Sequence, residues 1–157
     1  MASKKKISTD IINFYELNDV KKHSTQSDNP NFDLHHIKVP FRMGVISGSG
    51  MGKTNAVMNI IYLFSQGKGT FSHIYVYHKL EEQLYDYLRD KCKDKITFYK
   101  TLAKVPACRD LKNDEPGDKS PCLFIFDDCI VDKDQSKIND YFIYGRKAYG
   151  GNGVCCI

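Results

Sequence analysis

Eight consecutive residues carry the clearest chemistry in the chain: Ser47-Gly48-Ser49-Gly50-Met51-Gly52-Lys53-Thr54. Each type has a task in a phosphate cradle. Glycines let backbone N–H groups turn inward, where they can meet a β-phosphate. A helix starting near Gly52 adds the positive end of its dipole at the same spot. Lys53 would reach the β/γ oxygens, and Thr54 would offer its hydroxyl to Mg²⁺. The usual pattern, G-x-x-x-x-G-K-[ST], has a glycine where this chain has Ser47, a turn position; Gly48 and Gly50 beside it keep the loop pliable. The pattern predicts a nucleoside triphosphate site taking ATP with Mg²⁺.

A second cluster follows at Pro121-Cys122-Leu123-Phe124-Ile125-Phe126-Asp127-Asp128. Five apolar residues closed by two carboxylates describe a buried central strand that emerges beside the phosphate loop, at the sheet edge where ligands bind. Alone, two such aspartates are most simply a solvated strand end. With the loop upstream, Asp127 is placed to hold Mg²⁺, directly or through water. Asp128 points differently and would polarise the water that attacks the γ-phosphate.

The elements that must position these residues are legible in outline. Phe41 to Ile46 reads as a strand into the loop, and Ala56, Val57, Ile60, Ile61 and Phe64 mark the helix after it, ended by Gly67 and Gly69. Phe71–Tyr77 and Ile96–Tyr99 read as strands, with a helix between them faced by Leu80, Leu84, Tyr87 and Leu88. Lys112 to Ser120 is loop. Ser136 opens a helix carrying Ile138, Tyr141 and Phe142, and Val154 to Ile157 begins another buried strand. Strands alternating with helices predict an α/β fold: a mostly parallel sheet with helices on both faces. The separation of Lys53 from Asp127 leaves room for two further strands, which fits the P-loop ATPases that insert an additional strand between the two motif strands. A chain ending within a strand reads as truncated, a piece of a longer motor domain.

Residues 1–34 read as a polar, basic leader and linker, and 35–157 as the incomplete ATPase domain. Within the leader, Lys4–Lys6 is a charge run, Ile11 to Leu17 a short amphipathic segment, and 21–33 a linker. The pair His35-His36 reads as surface histidines, since neighbours in extended chain point to opposite faces. A net charge of +4 permits a nucleic-acid partner without arguing for one. No apolar run approaches the roughly 18 residues that would span a bilayer, and no signal-peptide pattern follows Lys4–Lys6. The six cysteines include no C-x-x-C pair and read as reduced, mostly buried thiols of an intracellular protein.

Ser47 to Thr54, then Phe124 to Asp128, then Gly145-Arg146-Lys147 ahead of a Gly/Val-rich strand together resemble the genome-packaging ATPases of large DNA viruses. That family comprises the poxvirus, giant-virus, virophage and Polinton-type enzymes of the FtsK–HerA superfamily. The resemblance covers roughly residues 40–157. It implies an ATP-driven motor, a homo-oligomeric ring that threads double-stranded DNA into a preformed capsid and meets capsid or portal-vertex proteins. It further implies a host-cytoplasmic or viral-factory location, with virion association, and contact of Arg146 with the nucleotide of its own or a neighbouring subunit. The family has Arg-His where this chain has Arg146-Lys147, and its sensor residue would lie beyond Ile157. Two other readings stay open. A P-loop kinase would carry an arginine-rich lid, whereas Arg42, Arg89, Arg109 and Arg146 are scattered. A non-catalytic nucleotide-binding module would use ATP to order an assembly surface.

Overall fold

A computed structural model describes residues 17–21, 28–113, 115–129 and 132–157. Four strands make one all-parallel sheet: β1 (Ile74–Tyr77), β2 (Ile96–Tyr99), β3 (Cys122–Phe126) and β4 (Val154–Cys156). Their order is β2-β1-β3-β4. Parallel strands need long crossovers; α-helices lie in those from β1 to β2 and from β3 to β4, and short 3-10 turns (Leu102–Lys104, Cys108–Asp110) in the one from β2 to β3. The α-helices are α1 (Asn18–Lys21), α2 (Phe32–His35), α3 (Lys53–Phe64), α4 (Gln83–Cys92) and α5 (Ser136–Tyr144).

The pleat sends alternate residues to opposite faces, and both faces are covered. On one side Ile74, Val76, Leu123 and Ile125 meet Val57, Ile61 and Phe64 of α3, with Tyr85 and Leu88 of α4. On the other, Tyr77, Cys122, Phe124, Phe126, Val154 and Cys156 meet Ile138 and Tyr141 of α5. All five residues of β3 are buried, which is why its sequence is unbroken apolar. The fold is α/β, as the alternation predicts. No helix among the described residues is long and apolar enough to cross a membrane.

The expected first strand is shorter than its apolar run. Only Arg42 bridges β4, opposite Cys156, with the Met43 N–H donating to the Cys156 carbonyl (2.9 Å) and the Cys156 N–H to the Phe41 carbonyl (3.0 Å). Gly44 to Ile46 form no bridge among the described residues, and Ile46 is 97% exposed. This segment nonetheless lies on the outer side of β4. Strand β4 therefore separates the approach to the phosphate loop from β3.

Two further expectations change. The face of α4 turned to the core is Tyr85 and Leu88, while Tyr87 and Leu80 are exposed, Leu80 before the helix begins. Residues 28–36, assigned partly to a linker, pack on the end of α3. Asn31 is buried and donates to the carbonyls of Phe64 (2.7 Å) and Gln66 (2.9 Å), and the His35 ring stacks on Phe64 at 3.8 Å between centroids. Of the expected amphipathic segment only Leu17 falls within the described residues, and Lys4–Lys6 falls outside them.

Candidate functional site

The loop of Ser47 to Gly52 is exposed and stands at the end of the sheet to which the parallel strands run. Gly50 (φ 74°) and Gly52 (φ 82°) are left-handed, a conformation costly to any residue with a Cβ. A Cβ at either would meet nothing within 4 Å, so it is the backbone conformation and not crowding that calls for glycine there. Gly52 caps α3, and Ala56 N–H donates to the Gly52 carbonyl (2.9 Å), so helical bonding begins as the loop closes. Lys53 and Thr54 are thus the first two helical residues, both half-buried.

β3 delivers the acids to the same place. Its parallel pairing with β1 continues one residue beyond the strand, the Asp127 N–H donating to the Tyr77 carbonyl (2.9 Å). Asp128 then turns left-handed (φ 51°), which an aspartate tolerates better than most residues. The turn parts the two carboxylates: the Asp127 side chain is 12% exposed and that of Asp128 41%. Lys53 Nζ sits between them, 2.5 Å from Asp128 Oδ1 and 3.3 Å from Asp127 Oδ1. The hydrogen bond to Asp128, aided by the charge of Asp127, raises the Lys53 ammonium above its ordinary range despite partial desolvation.

These groups line a cleft of about 310 Å³. Met43, Val45, Ile46, Val57, Phe142 and Ile157 are its apolar walls, with Ser47, Lys53, Asp127 and Asp128 as the polar groups within. The structure therefore brings together the loop, Lys53, Asp127 and Asp128, with Thr54 adjoining. It does not bring Arg146 to them. Arg146 is exposed, in the turn Gly145–Lys147, and its carbonyl lies beside Gly153 at the start of β4. A contact between Arg146 and the cleft of its own chain is not formed, because the turn packs on the opposite end of that strand.

Two supports had no plain signal in the sequence. The Tyr85 hydroxyl donates to Asp127 Oδ2 at 2.5 Å. Beyond the acids, Asp132 receives the Tyr77 hydroxyl (2.9 Å) and pairs with Lys79 Nζ (2.6 Å), fastening the chain after β3 to the end of β1. Burial, then the bond to Asp132, pushes the Tyr77 phenol up to about 12, so it remains a donor. The only trace of Tyr85 in the sequence is its spacing three residues before Leu88.

The residues present suit a hard divalent cation. The carboxylate of Asp127 in the cleft and the hydroxyl of Thr54, which follows Lys53 at the start of α3, offer oxygen donors only. No group of three or more His, Cys, Asp or Glu side chains among the described residues is arranged to hold a metal by itself. A cation here would rely on Asp127, Thr54 and the phosphates it accompanies, the manner in which Mg²⁺ binds. The six cysteines are free thiols, with Cys122, Cys155 and Cys156 fully buried in the sheet.

Comparison with protein families, with curated proteins and with solved structures returns no match to this chain.

Proposed function

We propose that this chain is an ATP-hydrolysing P-loop domain of the additional-strand class. The observation that carries the reading is the seat of Lys53. It is the first residue of a helix capped by a left-handed glycine, and it lies within ion-pair distance of both acids that end β3. The position of β4, between the approach to the loop and β3, supports the class.

In this reading Ser47 to Thr54 receive the triphosphate, their N–H groups and the α3 dipole offsetting its charge. Thr54 and Asp127 would hold Mg²⁺, which when bound supplies positive charge to offset that of the triphosphate. Lys53 cannot serve the phosphates while it is bonded to Asp128. Arrival of the γ-phosphate would draw the ammonium away and release Asp128 to accept a proton from the attacking water. The ion pair would thereby keep the base engaged until substrate is present.

The resemblance to viral genome-packaging ATPases extends the proposal to a ring-forming motor that moves double-stranded DNA into a capsid. Arg146, exposed and remote from its own cleft, would then meet the nucleotide of a neighbouring subunit. The test is steady-state ATP hydrolysis with and without double-stranded DNA, beside Lys53→Ala. Turnover that rises with DNA and falls at least about 10²-fold in the variant is expected, because the lysine stabilises transferring charge. ATP bound but never hydrolysed would favour the non-catalytic module instead.

A further inference from the structure

Asp127 is fastened at two points by one supersecondary unit. Its N–H is held by the Tyr77 carbonyl at the end of β1, and its Oδ2 by the Tyr85 hydroxyl on α4. The remaining oxygen, Oδ1, faces Lys53 Nζ at 3.3 Å, and both residues line the cleft. An ionised carboxylate has about four acceptor sites and a broad terminal torsion. Without a fixed donor, either oxygen could face the cleft.

Tyr85 is built to be such a donor. It is 2% exposed, and its ring lies 5.0 Å from that of His78 and 6.1 Å from that of Phe98. His78 directly follows β1 and Phe98 belongs to β2, so the ring is held by the sheet as well as by its helix.

We infer that Tyr85 is a positioning residue for the divalent cation: by occupying Asp127 Oδ2 it presents Oδ1 as the metal-facing oxygen. The inference rests on the nucleotide reading above. Partners that orient a metal-binding carboxylate commonly change metal affinity tenfold or more when removed. Tyr85→Phe deletes one hydroxyl and keeps the ring.

The experiment is Mn²⁺ titration of the full chain in the presence of ATP, followed by electron paramagnetic resonance, with metal-free ATP binding measured separately. Tyr85→Phe should weaken Mn²⁺ binding about tenfold and leave metal-free ATP binding within about twofold. In an Asp127→Ala background the same change should have no further effect. Equal Mn²⁺ affinity in parent and Tyr85→Phe overturns the role of Tyr85 while leaving the nucleotide site intact. A parent that binds neither ATP nor Mn²⁺ overturns the nucleotide reading and this inference together. Should Tyr85→Phe fail to fold, the unaltered chain carrying ¹³Cζ-tyrosine provides the decision. Its Tyr85 resonance must move as Mg²⁺ is titrated against ATP, and a resonance that stays in place refutes the proposal.

Discussion

Lys53 and Asp128 form the shortest ion pair of the cleft, and its consequences can be separated by substitution. Asp128→Asn removes the charge that holds Lys53 but keeps the size of the side chain. On the proposed reading, nucleotide binding should be as tight as in the parent or tighter, since the ammonium no longer has to leave a carboxylate. Hydrolysis should fall by about 10²- to 10⁴-fold, the usual contribution of a positioned base. A fluorescent-nucleotide titration and a phosphate-release assay on the same preparation measure the two quantities. Hydrolysis at the parent rate would remove Asp128 from the reaction. The left-handed turn at Asp128 (φ 51°) is what separates its direction from that of Asp127. Two adjacent acids on a regular strand end would alternate faces without bringing the second one to Lys53.

At the level of elements, the segment 28–36 fastens the far end of α3, the helix whose near end carries the phosphate loop. The last carbonyls of a helix lack partners within it, and Asn31 supplies donors to two of this region. His35 completes the contact in its neutral form. The Ile37 N–H donates to its Nδ1 at 3.0 Å, which requires that nitrogen unprotonated. Burial, and then the nearby His36, lower the titration of His35 below its ordinary value of 6.5. A lowered value in the folded chain means that the neutral ring contributes fully above pH 6.5 and loses its contribution as pH falls through the lowered value. Melting temperatures between pH 7.5 and 5 should therefore drop further for the parent than for His35→Phe, which keeps an aromatic ring against Phe64 and cannot titrate. His73, also lowered by burial, is common to both chains and cancels. Equal slopes would show that His35 does not titrate against folding.

For the molecule as a whole, the junction at Gly153 joins three parts that are distant in sequence. A Cβ there would stand 2.8 Å from Pro40 Cγ, 2.9 Å from Pro40 Cβ and 3.3 Å from the Arg146 carbonyl, at φ 85°. Gly153→Ala thus meets both a conformational penalty and a steric one, and should cost about 2–4 kcal/mol in urea unfolding. Gly150→Ala is the comparison. Its φ of 66° is also left-handed, but nothing lies within 4 Å, so only the conformational part applies, about 1 kcal/mol. Similar midpoints for the two variants would mean that the close approach to Pro40 relaxes at little cost. The site depends on this junction because it aligns β4 with the segment that leads into the loop.

The sequence alone determined those features that arise from local chemistry. Gly50 and Gly52 announce a loop that needs left-handed backbone, and Lys53-Thr54 follow at the start of an apolar 3.6-residue period. The unbroken apolar run Cys122 to Phe126, short and ended by charge, reads as a strand buried on both faces. Those signals placed α3, the four strands and the acid pair, because each rests on neighbours in the chain. Tertiary structure decided the rest. The apolar run Phe41 to Ile46 does not reveal that its contact with the sheet among the described residues is a single bridge, Arg42 opposite Cys156, since pairing depends on tertiary register. Tyr85 looks like any core tyrosine until the parallel pairing of β1 with β3 brings Asp127 beside α4. Arg146 does not line the cleft, because its turn packs at the start of β4 whereas the cleft lies at the other end of the parallel strands.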